Sequence, residues 1–313
     1  MPRSIQPRWQ IVPLIDSQNL SELPMATAHG KVTFVNATES KAQIYGKEYL
    51  KWKSWGGQEF GALSKIDASY FSAEIKRTKA SIAKNANVLE IGFGNGSFLA
   101  YARKRGWTVC GTEVNADLVE VAKQRGFDAK HTEDLSIFSD STFDLIVAFD
   151  VLEHIPQDLL LRFLEEIKRI LKDKGFFIAR FPNGDSPFGL RNQNGDITHV
   201  TTIGSGKVRY FAAEANMKLV FVGGTAQTIV GAGALYFIHR TVALPVRKLT
   251  NAFVNAIFFP SANIEFCSLD LTMICQAVKP TQPALASDSF VGDIRSSHPA
   301  AGEVQRTGRA SKF

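Results

Sequence analysis

Runs of apolar residues of strand length recur along the middle of the chain, separated by stretches whose apolar positions fall at helical spacing. Val88–Ile91, Thr108–Val114, Phe143–Asp150 and Gly175–Phe181 read as strands. An amphipathic stretch with Phe98, Leu99 and Tyr101 follows the first. Between the last two, Leu159–Leu171 carries apolar residues at helical spacing with Arg162, Glu165, Glu166, Lys168 and Arg169 outward. A helix over residues 203–215, a strand at Met217–Val222 and a final strand at Leu269–Val278 complete the pattern. Strands alternating with helices at this spacing predict an open α/β fold with a mostly parallel sheet.

Between the first strand and its helix stands Glu90-Ile91-Gly92-Phe93-Gly94-Asn95-Gly96. Glycine at alternate positions lets the chain turn sharply and lets a ligand approach bare backbone. A helix beginning near Gly96 would offer unpaired N–H groups to that ligand. The spacing differs from the G-x-G-x-x-G dinucleotide pattern. Glu113 ends the second strand about 20 residues on, where doubly wound folds place a carboxylate for ribose hydroxyls.

These residues, with Glu133-Asp134-Leu135 ahead of Phe143-Asp144-Leu145-Ile146 and with Asp150-Val151-Leu152-Glu153-His154-Ile155-Pro156, resemble the class I S-adenosylmethionine-dependent methyltransferases. The resemblance spans about residues 85–185 and, more loosely, reaches 280. It implies a Rossmann-like sheet of seven strands, mostly parallel, with helices on both faces and an antiparallel last strand. It also implies S-adenosylmethionine as cofactor. Glu90, Gly92, Gly94 and Gly96 would cradle its methionine part, Glu113 would hold the ribose, and Glu133 and Asp134 would lie beside the adenine. Asp150 belongs to the same expected cofactor set. His131 stands where many relatives carry an acid.

Methyl transfer to a hydroxyl needs a base for the acceptor proton. Candidates follow the strands: Asp150 and His154 in one loop, and Asp185, Arg191, Asp196 and His199 in the next. Turn formers crowd the stretch from Pro182 to Gly189 ahead of Gly195-Asp196-Ile197-Thr198-His199, which predicts a long substrate-binding loop. This loop resembles that of a methyltransferase branch found in bacterial polysaccharide and surface-glycan synthesis. His199 is the expected general base, with Asp196 orienting it or binding acceptor hydroxyls, while His154 shapes the pocket. Arg191 and Arg209 are candidates for an anionic group on the acceptor. Asp150, Glu153 and His154 also offer ligands of the kind with which some ubiquinone-pathway O-methyltransferases hold a divalent ion; no metal is assigned to them. The expected acceptor is a sugar hydroxyl of a glycan or its precursor. Small-molecule O-methylation in quinone or secondary metabolism, and an inactive cofactor-binding partner subunit, are the alternatives.

At 313 residues and 45% hydrophobic, the chain can form a full methyltransferase domain with flanks. Residues 1–30 and 281–313 read as poorly ordered, 31–84 as a helical lid segment rich in aromatics, and 85–280 as the catalytic domain. Residues 240–260 form a basic amphipathic insertion, suited either to packing on the domain or to an anionic membrane surface. A net charge of +6 invites a nucleic-acid partner, yet no basic stripe interleaved with aromatics supports one. No apolar run is long enough to span a bilayer. Cys110, Cys267 and Cys275 lack metal or redox spacing and suit a reducing cytoplasm, so a cytoplasmic enzyme, peripheral at most to the inner membrane face, is expected.

Overall fold

A computed structural model describes residues 45–53, 55, 59–227 and 234–279. The expectations for 1–30 and 281–313, and for the first part of the lid segment, fall outside the described residues. Two helices, α1 (Lys47–Lys53) and α2 (Lys65–Lys76), precede the sheet. Then come β1 (Asn87–Ile91), α3 (Ser97–Lys104), β2 (Thr108–Glu113), α4 (Ala116–Gln124), β3 (Asp128–His131) and β4 (Phe143–Phe149). The chain continues through α5 (Leu160–Ile170), β5 (Leu171–Pro182), α6 (Leu190–Asn194), α7 (Ser205–Glu214), β6 (Met217–Gly224), α8 (Ala234–Phe258) and β7 (Asp270–Ala277).

The seven strands form one sheet in the order β3-β2-β1-β4-β5-β7-β6, in which β7 alone runs antiparallel to its neighbours β5 and β6. The predicted class and the antiparallel last strand both hold. Neighbouring residues of each central strand point to opposite faces, and both faces are covered. Leu89, Ile146, Phe177 and Met273 enter the core under α5 and α7. Val88, Leu145, Val147, Phe176 and Ile274 enter the one shared with α2 and α3. Continuous apolar runs, rather than alternation, are the result in sequence.

Helix α5 shows how packing follows from spacing. Leu160, Leu164, Ile167 and Ile170 are its buried residues, one stripe along about three turns. Burying each contributes about 1.5–3 kcal/mol. Two short 3₁₀ turns, Leu152–His154 and Gln157–Leu159, precede the helix, and His154 sits in the first. Pro156 between the turns blocks a continuous helix by constraining Ile155 away from helical geometry. The strand β3 and the short helix α6 inside the long loop carry too few periodic positions to stand out in sequence. Strand order reverses between β1 and β4, one going on to β2 and the other to β5, which opens a crevice at their carboxyl ends.

Candidate functional site

The crevice holds a cavity of about 460 Å³. Its floor is the turn after β1, where Gly92, Gly94 and Gly96 take positive φ of 65°, 49° and 72°. Only Gly92 lies on the cavity wall. A Cβ there would come within 2.7 Å of the Val151 side chain. The other two glycines receive aromatic rings of the N-terminal segment instead: a Cβ on Gly94 would meet Trp55 at 3.1 Å, and one on Gly96 would meet Phe60 at 2.6 Å. Part of the glycine pattern therefore makes room for rings of the segment ahead of the sheet.

Glu113, on the wall, is tied to this turn. Its Oε2 accepts the Gly94 N–H at 3.0 Å, and its Oε1 accepts those of Val114 and Asn115 at 2.8 and 3.1 Å. A carboxylate has about four acceptor positions. Three are used, so Glu113 keeps about one, on Oε2, for a ligand hydroxyl. Glu90 lies buried beneath, with Oε2 lacking any hydrogen-bond partner among the described residues. Burial first, and the Glu113 charge besides, push its carboxyl well above the usual range. Glu133 and Asp134 line the far wall. Asp134 holds its own turn, accepting the Ser136 N–H at 2.9 Å and hydroxyl at 2.7 Å. His131 stays off the wall, its Nε2 2.9 Å from the Val114 carbonyl oxygen.

At the other end stand Asp150 and His154. Asp150 faces the cavity but is paired with Arg180, whose Nε donates to Oδ1 at 2.8 Å and whose other guanidinium nitrogen contacts Oδ2. The His154 ring also lines the cavity, and its Nδ1 is 3.2 Å from the Thr198 carbonyl oxygen and 3.0 Å from the Thr198 hydroxyl. Burial, reinforced by the His199 charge, holds this imidazole below its usual 6.5.

His199 stands behind His154, ring centroids 4.7 Å apart, and does not reach the cavity wall. Its Nδ1 lies 3.1 Å from the Gln193 carbonyl oxygen. Asp196 is fully engaged. Its Oδ1 accepts the Thr198 N–H at 3.0 Å and hydroxyl at 2.5 Å, and its Oδ2 accepts Lys53 at 2.7 Å and Tyr49 at 3.2 Å. All four acceptor positions are taken, which leaves no capacity for an acceptor hydroxyl. Glu153 is buried, neither carboxyl oxygen has a hydrogen-bond partner among the described residues, and Oε1 lies 3.8 Å from His199 Nε2; burial, then the Asp150 charge, drives it toward the protonated form. Ligand atoms of Glu153, His154 and His199 come within 4.8 Å of one another, the set that could meet an ion among the described residues. Asp185 lies elsewhere, its Oδ2 accepting the Ser205 N–H at 2.7 Å at the start of α7; Arg191 and Arg209 are exposed and off the wall.

Sequence reading gave the segment ahead of the sheet as an aromatic lid but named none of the contacts it makes at the cavity. Tyr45 reaches His154 Nδ1 at 3.3 Å, and Asn115 Nδ2 donates to the Tyr45 carbonyl at 2.5 Å. With Tyr49 and Trp55 on the wall and Lys53 on Asp196, α1 forms the roof. Partners separated by up to 147 positions leave no local signal.

S-adenosylmethionine fits these residues: Gly92 leaves bare backbone on the wall where a side chain would strike Val151, Glu113 retains acceptor capacity, and the buried Glu90, off the wall, has one carboxyl oxygen without a hydrogen-bond partner among the described residues. Comparisons agree. Residues 64–217 match a family model described as a methyltransferase domain. A ubiquinone biosynthesis O-methyltransferase of Xanthomonas oryzae pv. oryzae is 25% identical over 149 residues, 44% of this chain and 59% of that protein. An uncharacterised protein of Methanocaldococcus jannaschii is 49% identical over 49 residues, 16% of this chain and 20% of its own. The chain thus spans less than two thirds of either relative. The crystal structure of an S-adenosylmethionine-dependent methyltransferase from Archaeoglobus fulgidus superposes with a TM-score of 0.52 at 18% identity, covering 74% of this chain and all of that one, a likeness of fold. Residues 64–217 thus resemble a methyltransferase domain, carried on the fold of a solved S-adenosylmethionine-dependent methyltransferase.

Proposed function

We propose that this chain methylates a hydroxyl group, with a sugar of a bacterial surface glycan or its precursor as acceptor. The His154 imidazole carries the reading. A ring nitrogen beside a carbonyl oxygen bears the hydrogen, so the Thr198 carbonyl assigns the proton to Nδ1 and leaves the lone pair on Nε2. A low pKa keeps the ring neutral near pH 7, the form a base requires.

Bound S-adenosylmethionine supplies a methyl group already activated on a sulfonium. What remains for the protein is alignment, proton removal and exclusion of water. His154 Nε2 takes the acceptor proton as the oxygen attacks. Asp196 and His199 hold the Thr198 carbonyl and the His154 ring, and so act as positioning residues. Tyr45, Tyr49 and Trp55 present rings with polar edges over the cavity, a surface suited to a sugar face.

A phenolic hydroxyl of a quinone precursor is the second reading, favoured by the similarity to the Xanthomonas ubiquinone enzymes. Purified chain incubated with labelled S-adenosylmethionine and a panel of nucleotide sugars, glycolipids and catechols separates the two. Label on a sugar hydroxyl is the expected result; label on catechols alone selects the second reading. Cofactor binding with no product from any acceptor points to a non-catalytic partner subunit, and absence of cofactor binding overturns the proposal.

A further inference from the structure

Helix α8 (Ala234–Phe258) is sorted inside out. Ile238, Val242, Val246, Leu249, Phe253 and Ile257 recur at steps of three and four and are exposed, Leu249 by 71% and Phe253 by 63%. None of the described side chains of this helix is buried. The polar groups lie on the opposite face, held by the segment that follows. Asn251 donates to Glu265 and accepts the Cys267 N–H at 2.8 Å, while Asn255 exchanges bonds of 2.9 Å with both the N–H and the carbonyl of Ile264. The amides fix the helix by its polar side and aim its apolar stripe outward, over about 30 Å at 1.5 Å per residue.

A contiguous apolar face of this length on a globular surface marks a contact site. Charge selects the occupant. No acidic residue occurs between Glu214 and Glu265, whereas Lys218, Arg240, Arg247 and Lys248 are basic. A second copy laid on the same stripe would set like charges together; anionic headgroups would neutralise them. No helix among the described residues is long and apolar enough to cross a membrane. We infer that α8 lies flat on an anionic lipid surface, its stripe among the upper acyl chains and its basic residues at headgroup level. This holds whichever acceptor the cavity takes.

Flotation of the full chain with vesicles tests it. Vesicles of phosphatidylcholine mixed with phosphatidylglycerol should carry the chain upward, and pure phosphatidylcholine should carry far less. Leu249→Ser with Phe253→Ser should weaken partitioning about 100-fold, since two large apolar side chains no longer leave water. Melting temperature and S-adenosylmethionine affinity, unchanged in the double variant, show that it is folded. A wild-type chain that fails to float with the anionic vesicles overturns the inference. So does equal flotation of the double variant, or a stable dimer by light scattering that the double variant dissolves.

Discussion

Replacing Lys53 by Met tests whether the roof of the cavity is held by charge. Helix α1 has no fully buried residue, and Leu50 is its one side chain packed against the core among the described residues. Lys53 Nζ lies 2.7 Å from Asp196 Oδ2, the lysine side chain 27% exposed and the carboxylate 4%. At an effective dielectric constant of 20 the direct attraction is about 6 kcal/mol. Desolvation cancels much of it, and Asp196 keeps Tyr49 and Thr198 as donors. A net loss of about 2 kcal/mol remains, between the values for exposed and buried pairs. Lys53 also sits over the Trp52 ring at 4.8 Å, which the charge-free side chain forfeits. About 2 kcal/mol shifts the docked population of α1 some 30-fold. Hydrogen exchange of amides in residues 45–53 should accelerate by that order, and the acceptor KM should rise while the fold's melting temperature stays near its starting value. Lys53→Arg, which keeps the charge, should recover most of the protection. Exchange unchanged in Lys53→Met would refute the reasoning and leave the aromatic contacts of Tyr45 and Tyr49 as the clamp.

His154→Asn should lower kcat by about 10²–10⁴ with cofactor affinity nearly unchanged, and the acidic limb of the wild-type profile of kcat/KM should fall below pH 6.5, because burial depresses the imidazole from that value. Gly92→Ala forces a left-handed residue at φ 65° and sets a methyl 2.7 Å from Val151. It should cost about 1–2 kcal/mol by denaturant titration and weaken S-adenosylmethionine binding at least about ten-fold by calorimetry. Gly96→Ala, against Phe60, should instead lower the melting temperature more than it lowers affinity. Burial opposes ionisation of Asp196, but the Lys53 and Thr198 hydrogen bonds outweigh it and hold its carboxyl below the unfolded value of 3.8. The ionised form is therefore the one folding favours. Its contribution is present above pH 3.8 and is lost as pH falls through the folded value, and Asp196→Asn should flatten that part of the stability profile.

Sequence by itself determined the sheet and the glycine turn that opens on its crevice. Both follow from short-range constraints: apolar runs covered on two faces, helical stripes such as Leu160, Leu164, Ile167 and Ile170, and glycines that a turn requires. An acid at the end of β2 was legible for the same reason, since a strand end in a doubly wound sheet fixes its position. The acceptor end was decided elsewhere. Sequence put His199 first as the base, with Asp196 orienting it and His154 shaping the pocket, but loop residues carry no periodicity that tells which ring faces a cavity. Packing set His154 at the wall and His199 behind it, and filled every acceptor position of Asp196 from Lys53, Tyr49 and Thr198. In α8 the composition alone left packing and membrane contact open; only the amide bonds of Asn251 and Asn255 turned the apolar side outward. Periodicity tells that a helix has two faces, and long-range contacts decide which of them meets the protein.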